Sequence, residues 1–369
     1  MSGPDTVPET TGERLIDMKV TNSELAKALR LISYVPSDTG FASSEHALLQ
    51  ISADQMLICS SGRAVAWGAV PITEGAAQEF CIGRRHLTAL LEAAENSGAE
   101  DSTWTFKGDQ VTVQIGKQRL RLTTVKDVVG FPEREKPTGT RFSVEPAAMR
   151  DMSMLAKFTS ASVEETDAVV VNGAVGAATD RILMAAVKWN EPASKKSAIL
   201  PSLLMKAADK EGEGKLVLGK TGMYLTLGDN YVFCPAKMDY PLAALKGVLS
   251  TIGDTKTVAK TKTTDLLKGV QALSPFAFDA PEYVAEVALN KTSIELKLPL
   301  QSGEAKTQLA GKSKQALTGR WALTGLQHWL DRVSSVSADA DVEIKLGDKQ
   351  WCFRTPTEEA EYLLVMVRL

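Results

Sequence analysis

A threefold internal repeat constrains this chain more than any other feature. Three segments carry alternating β-forming residues on both sides of a glycine-led polar turn: VTVQIGKQRLRL (Val111–Leu122), MYLTLGDNYVFC (Met223–Cys234) and VEIKLGDKQWCF (Val342–Phe353). Each reads as strand, tight turn, strand. The glycines Gly116, Gly228 and Gly347 stand 112 and 119 residues apart, a domain-sized interval. One hairpin means little, but three at this spacing predict tandem copies of one folding unit.

Helical patterns keep the same phase. Before each hairpin lies a short amphipathic stretch: Arg84–Asn96, Pro201–Lys210 and Leu323–Val333. Apolar residues recur there at i, i+3, i+4 and i+7, as with Leu87, Leu90, Leu91 and Ala94. Another such helix opens each unit, at Asn22–Val35, Glu145–Ala161 and Thr264–Phe276, with Thr21 or Asn22, and Thr264, as N-caps. Strand-like runs such as ALLQISADQMLICS, AVVVNGAVGAATD and VAEVALNKTSIELKLPL lie between the helices. Helix, strands, helix, strands predicts an α+β domain, with two helices packed on antiparallel sheet. Polar, Pro/Gly-bearing junctions at Phe131–Thr140 and Ser250–Lys262 place three domains at 17–138, 139–255 and 256–369, after a disordered tail at 1–16.

Composition narrows the function. No run approaches the roughly 18 apolar residues of a membrane span, and residues 1–12 lack the basic start and apolar stretch of a signal peptide. The expected location is the cytoplasm. A net charge of −3 means that any nucleic-acid surface arises from local segregation of charge. Cys59, Cys81, Cys234 and Cys352 are too widely spaced for a zinc site and suit a reduced protein. His46, His86 and His328 read as structural, and neither metal nor cofactor is expected. Phosphate-binding, dinucleotide-binding, nucleophile-elbow and zinc-protease motifs are all absent, which argues against an enzyme.

The carboxyl-terminal YLLVMVRL (Tyr362–Leu369), GKQRLRLTTV followed by FPE at Phe131–Glu133, ATD at Ala178–Asp180 and MDY at Met238–Tyr240 stand in an order and spacing that resemble a known family. That family is the bacterial β sliding clamp of the replicative DNA polymerase, and the resemblance covers nearly the whole chain. This chain is identified as a divergent member. After A-T-D the family has Gly-His-Arg-Leu where Arg181, Ile182, Leu183 and Met184 stand here, with one extra residue. The family's Met-Pro-Met is Val365-Met366-Val367.

The resemblance implies a head-to-tail dimeric ring around double-stranded DNA, gripped without reading sequence because phosphate contacts carry none. Basic residues on the hole-lining helices are then Lys27, Arg30, Arg84, Arg85, Arg150, Lys157, Lys206, Lys210, Lys268 and Arg332; the same residues also suit ordinary solvated helix faces. The family's DNA-contacting loop falls on Val163–Asp167, which is acidic here. Closure would join Leu120 and Leu122 of one protomer to Phe276 of the other, although Leu120 and Leu122 equally fit their own core. A partner-peptide groove would be lined by Met152, Thr179, Met184, Met238, Leu242, Trp351, Leu363, Val365, Met366 and Val367, for the polymerase, the clamp loader and other clamp-binding peptides. Met and aliphatic side chains suit such adaptable recognition. The rival reading is a tandem-domain scaffold that binds peptides but never encircles DNA.

Overall fold

The computed structural model describes residues 16–36, 42–73, 75–160, 167–195, 197–211, 214–236 and 255–367. The expected tail through residue 15, Val163–Thr166 of the acidic loop, Met238, Leu242 and the last two residues lie outside them.

One order of elements occurs three times: strand, helix, four strands, helix, three strands. The first domain runs Ile16–Thr21, helix Asn22–Ser33, strands His46–Ile51, Gln55–Ser61, Val65–Thr73 and Gln78–Gly83, helix Arg85–Asn96, then Asp101–Lys107, Gln110–Ile115 and Gln118–Val125. The second runs Thr140–Phe142, helix Pro146–Leu155, strands Ala168–Asn172, Val175–Thr179, Leu183–Trp189 and Ala198–Pro201, helix Ser202–Glu211, then Lys215–Leu218, Gly222–Leu227 and Asn230–Pro235. The third runs Lys256–Lys262, helix Thr263–Leu273, strands Val284–Leu289, Ser293–Pro299, Glu304–Ala310 and Leu317–Ala322, helix Leu323–Val336, then Asp341–Leu346, Gln350–Pro356 and Ala360–Val367. The fold is α+β, with three similar domains in which two helices pack together over antiparallel sheet.

The same backbone bond starts the second helix of every domain. Arg84 N–H donates to Glu45 O at 2.9 Å, Ser202 N–H to Asp167 O at 3.4 Å, and Leu323 N–H to Tyr283 O at 3.0 Å. Each acceptor immediately precedes the first of the four central strands, so one connection is built three times. The opening helices repeat less closely and correct the expected caps. Thr21 makes no capping bond; Asn22 Nδ2 donates instead to Ala99 O at 2.8 Å. In the third domain Thr263, not Thr264, takes this place and donates from Oγ1 to Ala340 O at 2.9 Å. These side chains point away from their own helices toward the lead-in of a later strand, and so tie the opening helix to the closing strands.

The repeat holds, but one hairpin was matched out of phase. Gly116 and Gly228 turn between the last two strands of domains one and two, with φ of +56° and +60°. Gly347 turns between Asp341–Leu346 and Gln350–Pro356, one strand earlier. Its counterpart in the first domain is Gly108, and the last turn of the third domain is Thr357–Glu359. Strand–Gly–strand patterns recur within each domain, so sequence spacing alone could not tell which pair was seen.

Contacts divide the chain into two compact units, Met1–Gly139 with Tyr224–Pro235, and Thr140–Met223 with Ala236–Leu369. In the first, Asn230–Pro235 pairs with Val65–Thr73 through Val65↔Phe233, Ala66↔Val232 and Trp67↔Tyr231. Asn230 Oδ1 accepts from Ala69 N–H at 2.7 Å, and Glu135 N–H donates to the Tyr231 hydroxyl, whose pKa burial pushes up to about 12. In the second, Leu183–Trp189 pairs with Ala360–Val367 from Leu183↔Met366 to Trp189↔Ala360. Among the described residues no helix is long and apolar enough to cross a membrane.

Candidate partner-docking and DNA-facing sites

Strand pleating divides the expected groove in two. Successive side chains on a strand point to opposite faces, and residues directly opposite across a ladder share a face. In the nine-stranded sheet of the second unit, Thr179↔Met184, Met184↔Val365 and Cys352↔Val365 form one row, with Ala177↔Ala186 and Ala186↔Leu363 beside it. With Ala168, Val170 and Ile199 they make one apolar cluster. Thr179, Met184, Leu363, Val365 and Val367 therefore share a face. Trp351 and Met366 do not: they pair with each other on the opposite face, where both are buried. Trp351 stacks edge-on against Trp321, and Met152 is likewise fully buried in the helix Pro146–Leu155. These three are core, not groove. Cys352, one residue on from Trp351, holds the place on the cluster face.

At one end of the cluster the chain turns tightly between Thr179 and Met184. Asp180 Oδ1 accepts from the backbone N–H of Ile182 at 2.9 Å and of Leu183 at 2.7 Å, while Arg181 adopts φ +79°. This turn absorbs the extra residue and lifts Ile182 into solvent at 54% exposure. Val367 N–H donates to Ile182 O at 3.1 Å, and the Val367 side chain is 46% exposed. Two exposed aliphatics thus stand side by side above a buried apolar floor. Sequence matching passed over Ile182; an aliphatic directly after Asp180-Arg181 was the available signal.

The basic helix residues fall into three groups. Arg332 is withdrawn from the DNA-facing set. Its Nε donates to Asp151 Oδ1 at 2.6 Å and its Nη2 to Ala147 O at 3.2 Å, with only 11% of the side chain exposed. The same carboxylate accepts from Trp189 Nε1 at 2.7 Å and the Tyr362 hydroxyl at 3.0 Å, so Arg332 serves as the counter-charge of a buried network. Arg84 also has structural work, donating to Pro36 O and Ser44 O beside a cleft of about 760 Å³ that Arg85 borders. Lys27 and Arg30 pair with Glu24 and Glu95, both at 2.7 Å on exposed surface, which leaves their field largely cancelled.

Arg150, Lys157, Lys206, Lys210 and Lys268 remain exposed. Lys157 and Lys206 form a cationic cluster with His328 from the helix Leu323–Val336. Burial holds the His328 pKa below its ordinary value, Lys157 and Lys206 act in the same sense, and Asp331 opposes them. Lys206 is exposed as a residue, yet enough protein surrounds its ammonium to lower its pKa; Asp167 opposes this and Lys157 adds to it. Asp167, the described end of the acidic loop, accepts from Ser202 Oγ at the start of a helix.

The expected seam residues separate as well. Leu122 is 3% exposed within its own domain and Leu120 half-buried, whereas Phe276 is 43% exposed. Phe278, which the sequence reading missed, is 88% exposed in the short 3-10 helix Ser274–Asp279. Asp279, at the end of that segment, accepts from Gln301 N–H and Ser302 Oγ, which holds both aromatics near the start of Glu304–Ala310. That strand is an edge of its four-stranded sheet. Among the described residues Gln118–Val125 meets Gln78–Gly83 only at Thr124 and Val125, so Gln118–Thr123 also presents an edge there.

All four cysteines are free and buried, and burial pushes the thiol pKa up at Cys59, to about 11 at Cys81 and to about 12 at Cys352. The described residues hold no cluster of His, Cys, Asp or Glu suited to a metal.

At the level of sequence, neither a family model nor a curated protein matches the chain. Solved structures do. The DNA polymerase III β subunit of Thermotoga maritima aligns with a TM-score of 0.73 at 13% identity, over 96% of this chain and 99% of that one. The fold is that of a bacterial β sliding clamp. The sliding clamp of Bacillus subtilis aligns over the same shares, with a TM-score of 0.67 at 12% identity. So does the Helicobacter pylori β clamp bound to a DNA ligase peptide, with a TM-score of 0.66 at 12% identity. The clamp fold is thus kept at identities where the residue-by-residue matching of sites drifts, as it did at Trp351 and Gly347.

Proposed function

We propose that this chain is a DNA sliding clamp. Two copies would close head to tail, with domains near 17–138, 139–255 and 256–369, and encircle duplex DNA. It would tether a replicative polymerase by raising its effective concentration at the primer end. No catalytic step belongs to it, and a separate ATP-driven loader would open it. Polymerase, loader and other partners would dock through short peptides on the cluster face, in the cytoplasm.

The complementary strand edges carry this reading. The third central strand of the first domain, Val65–Thr73, pairs with the last strand of the second, Asn230–Pro235. The third central strand of the second domain, Leu183–Trp189, pairs with the last strand of the third, Ala360–Val367. Continuing the rule leaves one third central strand, Glu304–Ala310, and one last strand, Gln118–Val125, each presenting an edge. Unpaired edges are an aggregation liability, and a second copy removes both at once. Primer-extension length with and without the protein and its cognate loader tests the function. Unchanged length with the correct polymerase would overturn it.

Two outcomes follow for the faces. Ile182→Asp or Val367→Asp should weaken binding of a Gln-Leu-x-x-Leu-Phe peptide by well over tenfold, more than about 1.4 kcal/mol, because peptide sites concentrate energy in few apolar anchors. Both residues are substantially exposed, so thermal unfolding should change little. Removing the terminal residues from Met366 onward is the poorer test, since Met366 is core. On the helix side, DNA phosphates would favour protonated His328. Affinity for a fluorescent duplex should rise as pH falls from 7.5 to 5.5, and the rise should shrink in His328→Gln. An unchanged pH profile in that variant would remove His328 from the DNA-facing surface.

A further inference from the structure

Each pairing of a third central strand with a last strand has one face turned away from the helices. In the second unit a Cβ on Gly176 would lie 3.0 Å from Leu155 Cδ1, so Gly176 looks onto the helix Pro146–Leu155. Its neighbour Ala177, in the apolar cluster, looks the other way. In the first unit a Cβ on Gly68 would lie 2.7 Å from Ala28 Cβ in the helix Asn22–Ser33, so Trp67 likewise looks away. Trp67 stands opposite Tyr231 and Cys59, and Cys59 opposite Leu48, an apolar row across four strands. This row is the first unit's counterpart of the docking face.

The linker after the first domain crosses that row. Gly130 lies beside Ser43, where an added Cβ would stand 3.3 Å from Oγ, just before the strand His46–Ile51. Four residues on, Arg134 Nη2 donates to Asp229 O at 2.8 Å, at the turn into Asn230–Pro235. Those strands are three spacings apart, roughly 14 Å at about 4.8 Å each, which four extended residues cover at ~3.3 Å each. Glu135 N–H donates to the Tyr231 hydroxyl at 3.1 Å, so the linker holds the row through its main chain, as an extended ligand does. Burial, and then the Glu135 charge, raise the pKa of Tyr224, which packs on Tyr231 at 5.8 Å and Phe233 at 4.7 Å. Trp67 Nε1 is buried in the same row with no acceptor among the described residues, a donor suited to a main-chain carbonyl. The four-stranded sheet of the third domain differs. Its row averted from the helices is Arg320, Glu286, Lys297 and Lys306, and Lys297 pairs with Glu304 at 2.7 Å and Lys306 with Glu295 at 2.9 Å.

We propose that residues 130–135 are the internal occupant of a second peptide-docking face, at Leu48, Cys59, Trp67 and Tyr231. The inference rests on the docking-face reading above and adds a covered site of the same class. Its ligand is an extended peptide with aliphatic or aromatic anchors, the chemistry of the row itself. One apolar face per chain is then open, one is covered by the linker, and the third is closed to apolar peptides by its matched charges.

Calorimetric titration of the full chain with acetylated Gln-Leu-Ser-Ser-Leu-Phe should give one peptide per chain. Replacing residues 131–135 with Gly-Ser-Gly-Ser-Gly should give two. Adding Ile182→Asp to that variant should return the count to one, because it weakens only the open face. The milder pair Arg134→Ala, Tyr231→Phe removes both tethers and keeps every apolar side chain. It should also give two, with the second site weaker because the linker still competes for the row. Thermal unfolding checks that each variant is folded. One peptide per chain in the parent and in both linker variants overturns the inference and leaves the docking face standing. Two per chain in the parent overturns it as well, since the row would then be open. No binding to the parent overturns the docking-face reading, and this inference with it.

Discussion

Replacing Asp151 with alanine should lower the stability of the second compact unit by about 3–5 kcal/mol, because it strands a nearly buried guanidinium without its counter-charge. Three donors converge on this carboxylate: Arg332 Nε at 2.6 Å, Trp189 Nε1 at 2.7 Å and the Tyr362 hydroxyl at 3.0 Å. They come from a helix of the third domain and from the two strands that pair between the second and third. Asp151 is itself only 2% exposed, so water cannot replace it. For a unit of this size the loss corresponds to a fall in Tm of roughly 10 °C. Asp151→Asn, which keeps the shape and one acceptor, should fall less. Burial, and then the Asp151 charge, hold the Tyr362 phenol above its ordinary pKa. The unfolded chain therefore releases that proton first, and stability should decline as pH rises above about 10. Thermal unfolding followed by tryptophan fluorescence measures all three outcomes. An alanine variant as stable as the parent would show that the joint depends on strand pairing alone.

The doubly substituted Phe276→Asp, Phe278→Asp protein should sediment as a folded monomer, its dimer dissociation constant raised by at least a hundredfold, about 2.7 kcal/mol. Two exposed aromatics beside an unpaired edge strand are the apolar anchors available to a second copy. Charge placed there is harmless in the monomer, where water reaches it, and costly only in a buried joint. A charge at Leu122 is the wrong test, since that side chain is 3% exposed and its burial would damage the domain itself. Circular dichroism unchanged from the parent would confirm that the fold survives. If the unsubstituted chain already sediments as a monomer, the ring reading loses its support.

The fold was legible to the extent that its signals were local. Period-3.6 apolar stripes placed the six long helices of the described residues to within a few residues at their starts, as with Arg84–Asn96 against the observed Arg85–Asn96. The hairpin at Gly116 was equally plain, because alternating residues around a positive-φ glycine specify two paired strands by themselves. The helix caps were less legible. Asn22 and Thr263 have side chains able to cap a helix, but each bonds a carbonyl some 77 residues away, and no local rule reports a partner at that distance.

The proposed docking face was half legible for a different reason. Thr179, Met184, Leu363, Val365 and Val367 fall on one face of the sheet, whereas Trp351 and Met366 fall on the other. A strand changes face at every residue, so a single-position error exchanges groove for core. Local patterning thus determined the helices, the hairpins and the threefold order of elements, since each depends on periodicity within a short segment. Tertiary structure alone decided that Arg332 serves Asp151 and that Leu122 is core while Phe278 is exposed. Those are outcomes of burial and charge between segments far apart in the chain, and they exist only once the strands have chosen their register.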